Sequence, residues 1–265
     1  MRSRLPNGSP FQFERATALV VGGATGLGRT MAEALLAHGA TVCISSRNEA
    51  KVRSVAASLS RRFGGRCVGV AADVGNESSV KRLAARLADR CDGRLHIAIN
   101  AAGVNVRNPI AQVTLQEWET IQRTNSTGGF LLAKALLPLL RRAATKDRWA
   151  RLIHLTSIFS SCSHAHRSSY AASKGALAQL TRTLAIEWAP YGITVNAIAP
   201  GPFHTEMTRP LLQRPKQYRA FCSHIPLNRF GEPEEIVTAC LFLAARPSSY
   251  VTGAEIAVDG GWTAA

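Results

Sequence analysis

The stretch SSYAASKGAL, residues 168–177, places a phenol and an ammonium four residues apart, at Tyr170 and Lys174, among small side chains. On a helix, positions i and i+4 are neighbours on one face. A lysine so placed lowers the phenol pKa from its usual value of about 10, making the tyrosine a usable acid or base near neutral pH. The small residues around the pair (Ser168, Ser169, Ala171, Ala172, Ser173, Gly175, Ala176) also suit a helix that simply packs closely. The pair alone fits both readings.

A second group lies near the start. VGGATGLGR presents Gly22, Gly23, Gly26 and Gly28 with the spacing G-x-x-x-G-x-G, between an apolar run and a helix-compatible segment. Glycines there permit a tight turn and let a phosphate approach backbone N–H groups at a helix N-terminus. A plain tight turn needs the same residues, but the strand-turn-helix context favours a dinucleotide site. About 20 residues past such a loop, NAD sites carry an acid for the ribose 2′-hydroxyl. Here Ser46 holds that place and Arg47 follows. A neutral residue beside a guanidinium suits the 2′-phosphate of NADP, with NAD(H) as the alternative and a solvated helix start as the bland reading of Arg47.

Short apolar runs that would position these groups recur at 16–21, 40–46, 66–72, 95–100, 151–157, 193–199 and 254–261. Helix-compatible stretches separate them, with apolar residues near i, i+3/i+4 and i+7, including one long helix over about 168–189. The alternation predicts an α/β fold: a doubly wound parallel sheet of about seven strands with helices on both faces. No linker-like shift of composition interrupts it, so residues 11–265 are expected to form a single domain behind a loose tail at 1–10. The Pro-rich segment 202–230 reads as an irregular excursion of the kind that often covers a site.

Composition narrows the partners. The chain has 265 residues, 32 Lys+Arg against 17 Asp+Glu, and a formal charge of +15. No two adjacent basic residues extend to a third, and no basic block is interleaved with aromatics. The charge therefore reads as Arg-rich solvated faces rather than a nucleic-acid surface, although it favours a phosphorylated cofactor or an acidic substrate. Six cysteines (43, 67, 91, 162, 222, 240) show no metal-ligand spacing. Cys43, Cys67 and Cys240 lie in apolar runs, as buried thiols do. No uninterrupted run of 18 apolar residues and no apolar leader core occur. Neither membrane nor metal is expected, and a reducing, cytoplasmic setting is.

From residue 11 on, the chain resembles the short-chain dehydrogenase/reductase family. Gly22, Gly26 and Gly28 match its glycine motif, with Leu27 inside it and Val21 where threonine is commoner. Asp73-Val74 resembles its adenine-contacting pair. Asn100-Ala101-Ala102-Gly103 resembles its Asn-Asn-Ala-Gly turn, with alanine second. Pro200-Gly201, Phe203 and Thr205 follow the sixth strand as in the family. The resemblance implies a Rossmann-like oxidoreductase whose catalytic set is Asn125, Ser157, Tyr170 and Lys174. Ser157 stands thirteen residues before Tyr170, a family spacing. By that resemblance Ser157 donates a hydrogen bond to the substrate oxygen and Lys174 also holds the nicotinamide ribose. Asn125 orders a water relay, and the protein assembles as a homotetramer through the long helices at 114–142 and 168–189.

Three features bear on the ketone or alcohol. Arg107, in GVNVRNP, is similar to an arginine of the gluconate 5-dehydrogenase branch and could hold a carboxylate bidentately. VNAIAPGPFHTEMT also resembles that branch. His164, His166 and Arg167 precede Tyr170 in a segment that borders the family's substrate pocket, and His164 is the candidate contact there. The expected substrate is a sugar acid such as 5-keto-gluconate. A 3-oxoacyl-thioester reductase is the alternative within the family, and a non-catalytic dinucleotide-binding sensor the alternative outside it.

Overall fold

Strands and helices alternate through this computed structural model, which describes residues 9–147 and 149–264. Most of the tail expected at 1–10 lies outside the described residues. Seven strands form one parallel sheet: β1 Thr17–Val21, β2 Thr41–Ser46, β3 Cys67–Ala71, β4 Ile97–Asn100, β5 Ala150–Leu155, β6 Ile193–Pro200 and β7 Glu255–Val258. Their order is β3-β2-β1-β4-β5-β6-β7. The chain winds outward from β1 to β3, then returns to lay β4 on the other side of β1. The crevice this reversal leaves beyond the C-terminal ends of β1 and β4 is where doubly wound sheets bind ligands.

Period-two alternation assigns each strand residue to a face. Ala18 and Val20 of β1 join a core with Met31, Leu35 and Leu36 of α1 (Gly26–Ala37) and Val52 and Leu59 of α2 (Glu49–Arg62). Leu19 and Val21 join the opposite core, with Val80, Leu83 and Leu87 of α3 (Glu77–Arg90). Each of these larger side chains, Ala18 aside, stabilises the fold by about 1.5–3 kcal/mol on full burial. Asn48 and Asn76 start α2 and α3 by accepting the Lys51 and Ser79 backbone N–H groups at 2.9 Å each. Burial pushes the Cys43 and Cys240 thiols up to about 12, in keeping with packing.

Two regions depart from the expected elements. The helix read over 114–142 is not continuous: α4 (Leu115–Gln122) passes into a wide π turn over Arg123–Thr127, then into α5 (Gly128–Asp147). Gly128 and Gly129 let this turn press against the core; a Cβ on Gly128 would lie 2.8 Å from Val74 and one on Gly129 2.5 Å from Leu177. Periodicity could not reveal a one-residue widening between two regular helices. The helix at 168–189 is α6 (Ser168–Trp188). The excursion at 202–230 carries two short helices, α7 (Arg209–Leu212) and α8 (Pro215–Cys222). They pack through Leu211, Cys222, Ile225 and Phe230 into a small core of their own. Helix α9 (Val237–Ala244) and β7 close the chain.

Candidate active site

One continuous cleft runs from the glycine turn to the segment ahead of α6. Its floor is backbone. Gly22 has φ +77°, and a Cβ there would lie 2.7 Å from the Ala101 carbonyl oxygen. A Cβ on Gly28 would overlap the Gly22 carbonyl oxygen. The turns after β1 and β4 are thus packed backbone to backbone, with Ala101 N–H donating to Val21 O at 2.9 Å and Gly22 N–H to Ser45 O at 2.8 Å. Gly22, Gly26, Leu27, Gly28, Ser46, Arg47, Val74, Ala101, Gly103, Pro200, Gly201, Phe203 and Thr205 all line the cleft.

Asp73 and Asn100, expected at the cofactor from their motifs, stand beside the cleft rather than on its lining. The Asp73 carboxylate turns to accept the Gly75 N–H at 2.9 Å. Asn100 is buried and its Oδ1 accepts the Ala102 N–H at 3.3 Å, so it shapes the turn that does line the cleft.

The acid–base group stands on the opposite wall, where Ser157, Tyr170 and Lys174 line the cleft together. Ser157 follows β5 and accepts the Phe159 N–H at 3.2 Å. Lys174 is buried on α6 and donates to the Leu155 carbonyl at 2.7 Å, with Nζ 5.7 Å from the Tyr170 ring centroid. Burial lowers its pKa to about 8. The charge is felt by His154, fully buried on β5, whose pKa falls to about 3 through burial first and Lys174 second.

The phenol behaves differently from the sequence expectation. Burial pushes the Tyr170 pKa up, while the Ser157 hydroxyl, Arg167 and Arg107 pull it back. Lys174 is not among the groups that pull it back; its ammonium donates to Leu155 beside the ring rather than to the hydroxyl.

Asn125 lies behind this wall, fully buried within the π turn. It grips Val104 from both sides: Oδ1 accepts the Val104 N–H at 2.8 Å and Nδ2 donates to the Val104 carbonyl at 2.9 Å. Nδ2 also donates to Ser173 Oγ at 2.9 Å. Gly103 leaves the space between, since a Cβ there would come within 3.4 Å of Lys174 Nζ and 3.6 Å of Asn125 Oδ1.

Arg107 lines the cleft, exposed, at its outer mouth. His164 does not reach it. Its ring packs 5.6 Å from Phe221 and 6.3 Å from Trp262, one layer back. Sequence reasoning missed the residues that build this end: Phe159, Met207, Leu211 and Phe221 line it, and the Phe221 ring packs, tilted, 5.0 Å from that of Trp262. Their only sequence signal is the apolar content of an otherwise polar excursion. Also missed was Glu255 on β7, whose carboxylate accepts from Thr156 Oγ1 at 2.6 Å and Ser160 Oγ at 2.7 Å, bracketing Ser157.

A parallel sheet in this order, with a glycine cradle at its switch point and a Ser–Tyr–Lys wall facing it, defines a dinucleotide-binding α/β oxidoreductase. A family model described as Enoyl-(Acyl carrier protein) reductase matches residues 22–263. The 3-oxoacyl-[acyl-carrier-protein] reductase FabG of Aquifex aeolicus is 34% identical over 250 residues, 94% of this chain and 98% of that one. The Pseudomonas aeruginosa RhlG/NADP active-site complex superposes with a TM-score of 0.90 at 36% identity, over 95% of this chain and 98% of that one. A gluconate 5-dehydrogenase from Burkholderia cenocepacia in complex with NADP and tartrate does so at 0.90 and 31%, over 97% and 98%. The chain belongs to the short-chain dehydrogenase/reductase family and is an oxidoreductase acting on an alcohol or ketone. Among the described residues, no helix is long and apolar enough to cross a membrane.

Proposed function

We propose that the protein is an NADP(H)-dependent oxidoreductase interconverting a ketone and a secondary alcohol on an acidic substrate of the sugar-acid type, such as 5-keto-gluconate. The observation that carries this reading is the convergence of Ser157, Tyr170 and Lys174 on one wall of the glycine-floored cleft, with Arg107 at its mouth. The residues fit the dinucleotide: Gly22 and Gly28 leave the space a phosphate backbone needs, and Ser46 and Arg47 line the far end, where β2 ends without an acid of its own. Arg47 offers its fork to a 2′-phosphate. Both structural relatives described above are NADP complexes.

When bound, the cofactor supplies or accepts the hydride. The chain's own work is with the proton and the carbonyl oxygen. Tyr170, its pKa raised by burial, holds its proton at neutral pH and donates it to the oxygen as negative charge develops there. Ser157 donates a hydrogen bond to the same oxygen. Lys174, charged below about 8, adds a cation beside the phenol and is placed to hold the ribose hydroxyls. Asn125 fixes Val104 and Ser173, keeping the turn after β4 and the start of α6 in register. In the oxidative direction each transfer reverses, so the phenolate is needed and rates rise with pH.

Reduction of 3-oxoacyl thioesters is the second reading, favoured by the apolar lining of Phe159, Met207, Leu211 and Phe221. Steady-state rates with NADPH on 5-keto-gluconate and acetoacetyl-CoA separate the two. A thousandfold preference either way assigns the substrate, and equal inactivity on both removes both. Phe130 on α5 and Ile186 on α6 are exposed, as a homotetramer formed through those helices requires. Sedimentation at micromolar concentration tests that assembly.

A further inference from the structure

Beside Tyr170 the cleft carries a cation that the protein does not neutralise. Arg167, immediately ahead of α6, is only 5% exposed, and its buried Nη1 has no hydrogen-bond partner. Its guanidinium carbon lies 5.5 Å over the centroid of the Phe159 ring, which in turn meets the Tyr170 ring edge to face with centroids 6.4 Å apart. Arg167 is therefore about one ring away from the phenol, and it lines the cleft.

The neighbours deepen the imbalance. Arg107 lines the same cleft and repels Arg167, whose pKa burial first, and Arg107 second, bring down to about 10. Among the described residues neither arginine forms an ion pair. Among the described residues Glu206 is the one carboxylate lining the cleft, and it pairs with Lys51 at 3.3 Å. Buried charges are normally matched by an opposite charge, because a ring face returns only part of what desolvation costs. Two like charges side by side add to that cost. An anion entering the cleft completes the arrangement, and the cofactor's own phosphates belong to the glycine turn and Arg47 at the other end.

We propose that Arg167, together with Arg107, binds the carboxylate of the ketone substrate, and that Arg167 is the residue that selects keto acids over neutral ketones. The planar guanidinium, set over the Phe159 ring with Nη1 unpartnered, keeps N–H donors for a bidentate partner, the geometry a carboxylate supplies. The inference rests on the reading that Tyr170 protonates a ketone in this cleft, and it deepens that reading by naming a second anchor buried in the wall itself.

The decisive comparison uses 5-keto-D-gluconate and L-sorbose, which share the reacting carbonyl and the hydroxyls and differ in a carboxylate replaced by CH2OH. NADPH-dependent kcat/KM is measured for both with the wild type, Arg167→Gln and Arg167→Lys. The acid-over-alcohol ratio is expected to fall about tenfold or more in Arg167→Gln, mainly through KM, and to recover in part in Arg167→Lys. NADPH affinity, read by fluorescence, is expected to stay as in the wild type and certifies the fold. An unchanged ratio in Arg167→Gln overturns the proposal.

If neither ketone is reduced, the substrate reading fails while the anion site is still read by calorimetry. Tartrate is then expected to bind the NADP-loaded protein and to lose about tenfold in Arg167→Gln, whereas neutral threitol does not bind. Equal binding of tartrate and threitol, or an Arg167→Gln variant that binds tartrate like the wild type, overturns it. So does a loss confined to acetoacetyl-CoA, which would assign the arginine to a phosphate.

Discussion

The two ends of the cleft are made differently. At the cofactor end, the turns after β1 and β4 meet through backbone, and what defines the surface is the absence of side chains at Gly22 and Gly28. At the substrate end the surface is side chains: Arg107 after β4, Phe159 after β5, Arg167 before α6 and Phe221 on α8, backed by Trp262 near the C-terminus. Four separate stretches of chain build that end. A backbone site accepts almost no substitution, because any added atom strikes a carbonyl. A side-chain site can exchange one residue at a time and keep its fold. The first end therefore sets which reaction class is possible, and the second which molecule enters.

Substitutions can break or sharpen this contrast. The largest effect is expected at the junction of the two ends: Tyr170→Phe removes the proton donor and should lower NADPH-dependent turnover by ~10²–10⁴-fold, with NADPH binding retained in a fluorescence titration. Retained turnover would refute the acid–base assignment. At the backbone end, Gly22→Ala forces a side chain into φ +77° and onto Ala101 O, so NADPH affinity and thermal stability should fall together, the latter by about 1–3 kcal/mol. Phe221→Ala, at the other end, is expected to alter the ketone profile while sparing NADPH affinity; a matching loss of cofactor binding would erase the contrast. Arg47→Ala should cost roughly tenfold in NADPH affinity and little in NADH affinity.

Smaller effects are expected from pH and from the bracket around Ser157. Burial depresses the Lys174 pKa, so its charge is present below about 8 and lost above it. With Tyr170 titrating higher, kcat/KM for reduction should be level at neutral pH and decline above about 8. A profile level through pH 9.5 would remove the lysine charge from the mechanism. Glu255→Gln keeps the acceptor for Thr156 and Ser160 but drops the charge, and should change kcat by only a few-fold.

The same contrast governs what was legible in the sequence. Gly22, Gly26 and Gly28 announce themselves because a backbone site is written locally, in residue types that have few other uses after a strand. Tyr170 and Lys174 are legible for the same reason, lying one helical turn apart. The strands were readable since a sheet covered on both faces needs short apolar runs, and their ends fall within three residues of the expected ones. Phe221 and Trp262 were not legible: their meaning lies in a contact between segments 41 residues apart, which no local pattern encodes. The direction of the Tyr170 shift was not legible, because it is set first by burial, and spacing places Lys174 beside the ring without saying that its ammonium points to Leu155.

The π turn at Arg123–Thr127 has a further consequence. Such a turn amounts to one extra residue threaded into a regular helix, and each helical residue advances the phase by about 100°. Upstream of it the phase is set by Ile121, which is buried on α4; downstream it is set by Leu132, Leu136 and Leu140, buried along α5. Asn125 sits where the two phases are reconciled, and only there can its amide meet both backbone groups of Val104. Deleting a single residue from this helix would leave two choices, to rotate the α5 core out of place or to swing the amide away from the turn that carries Gly103. The length of the 115–147 segment is thus fixed to the residue by the site, to whose lining it contributes Thr124.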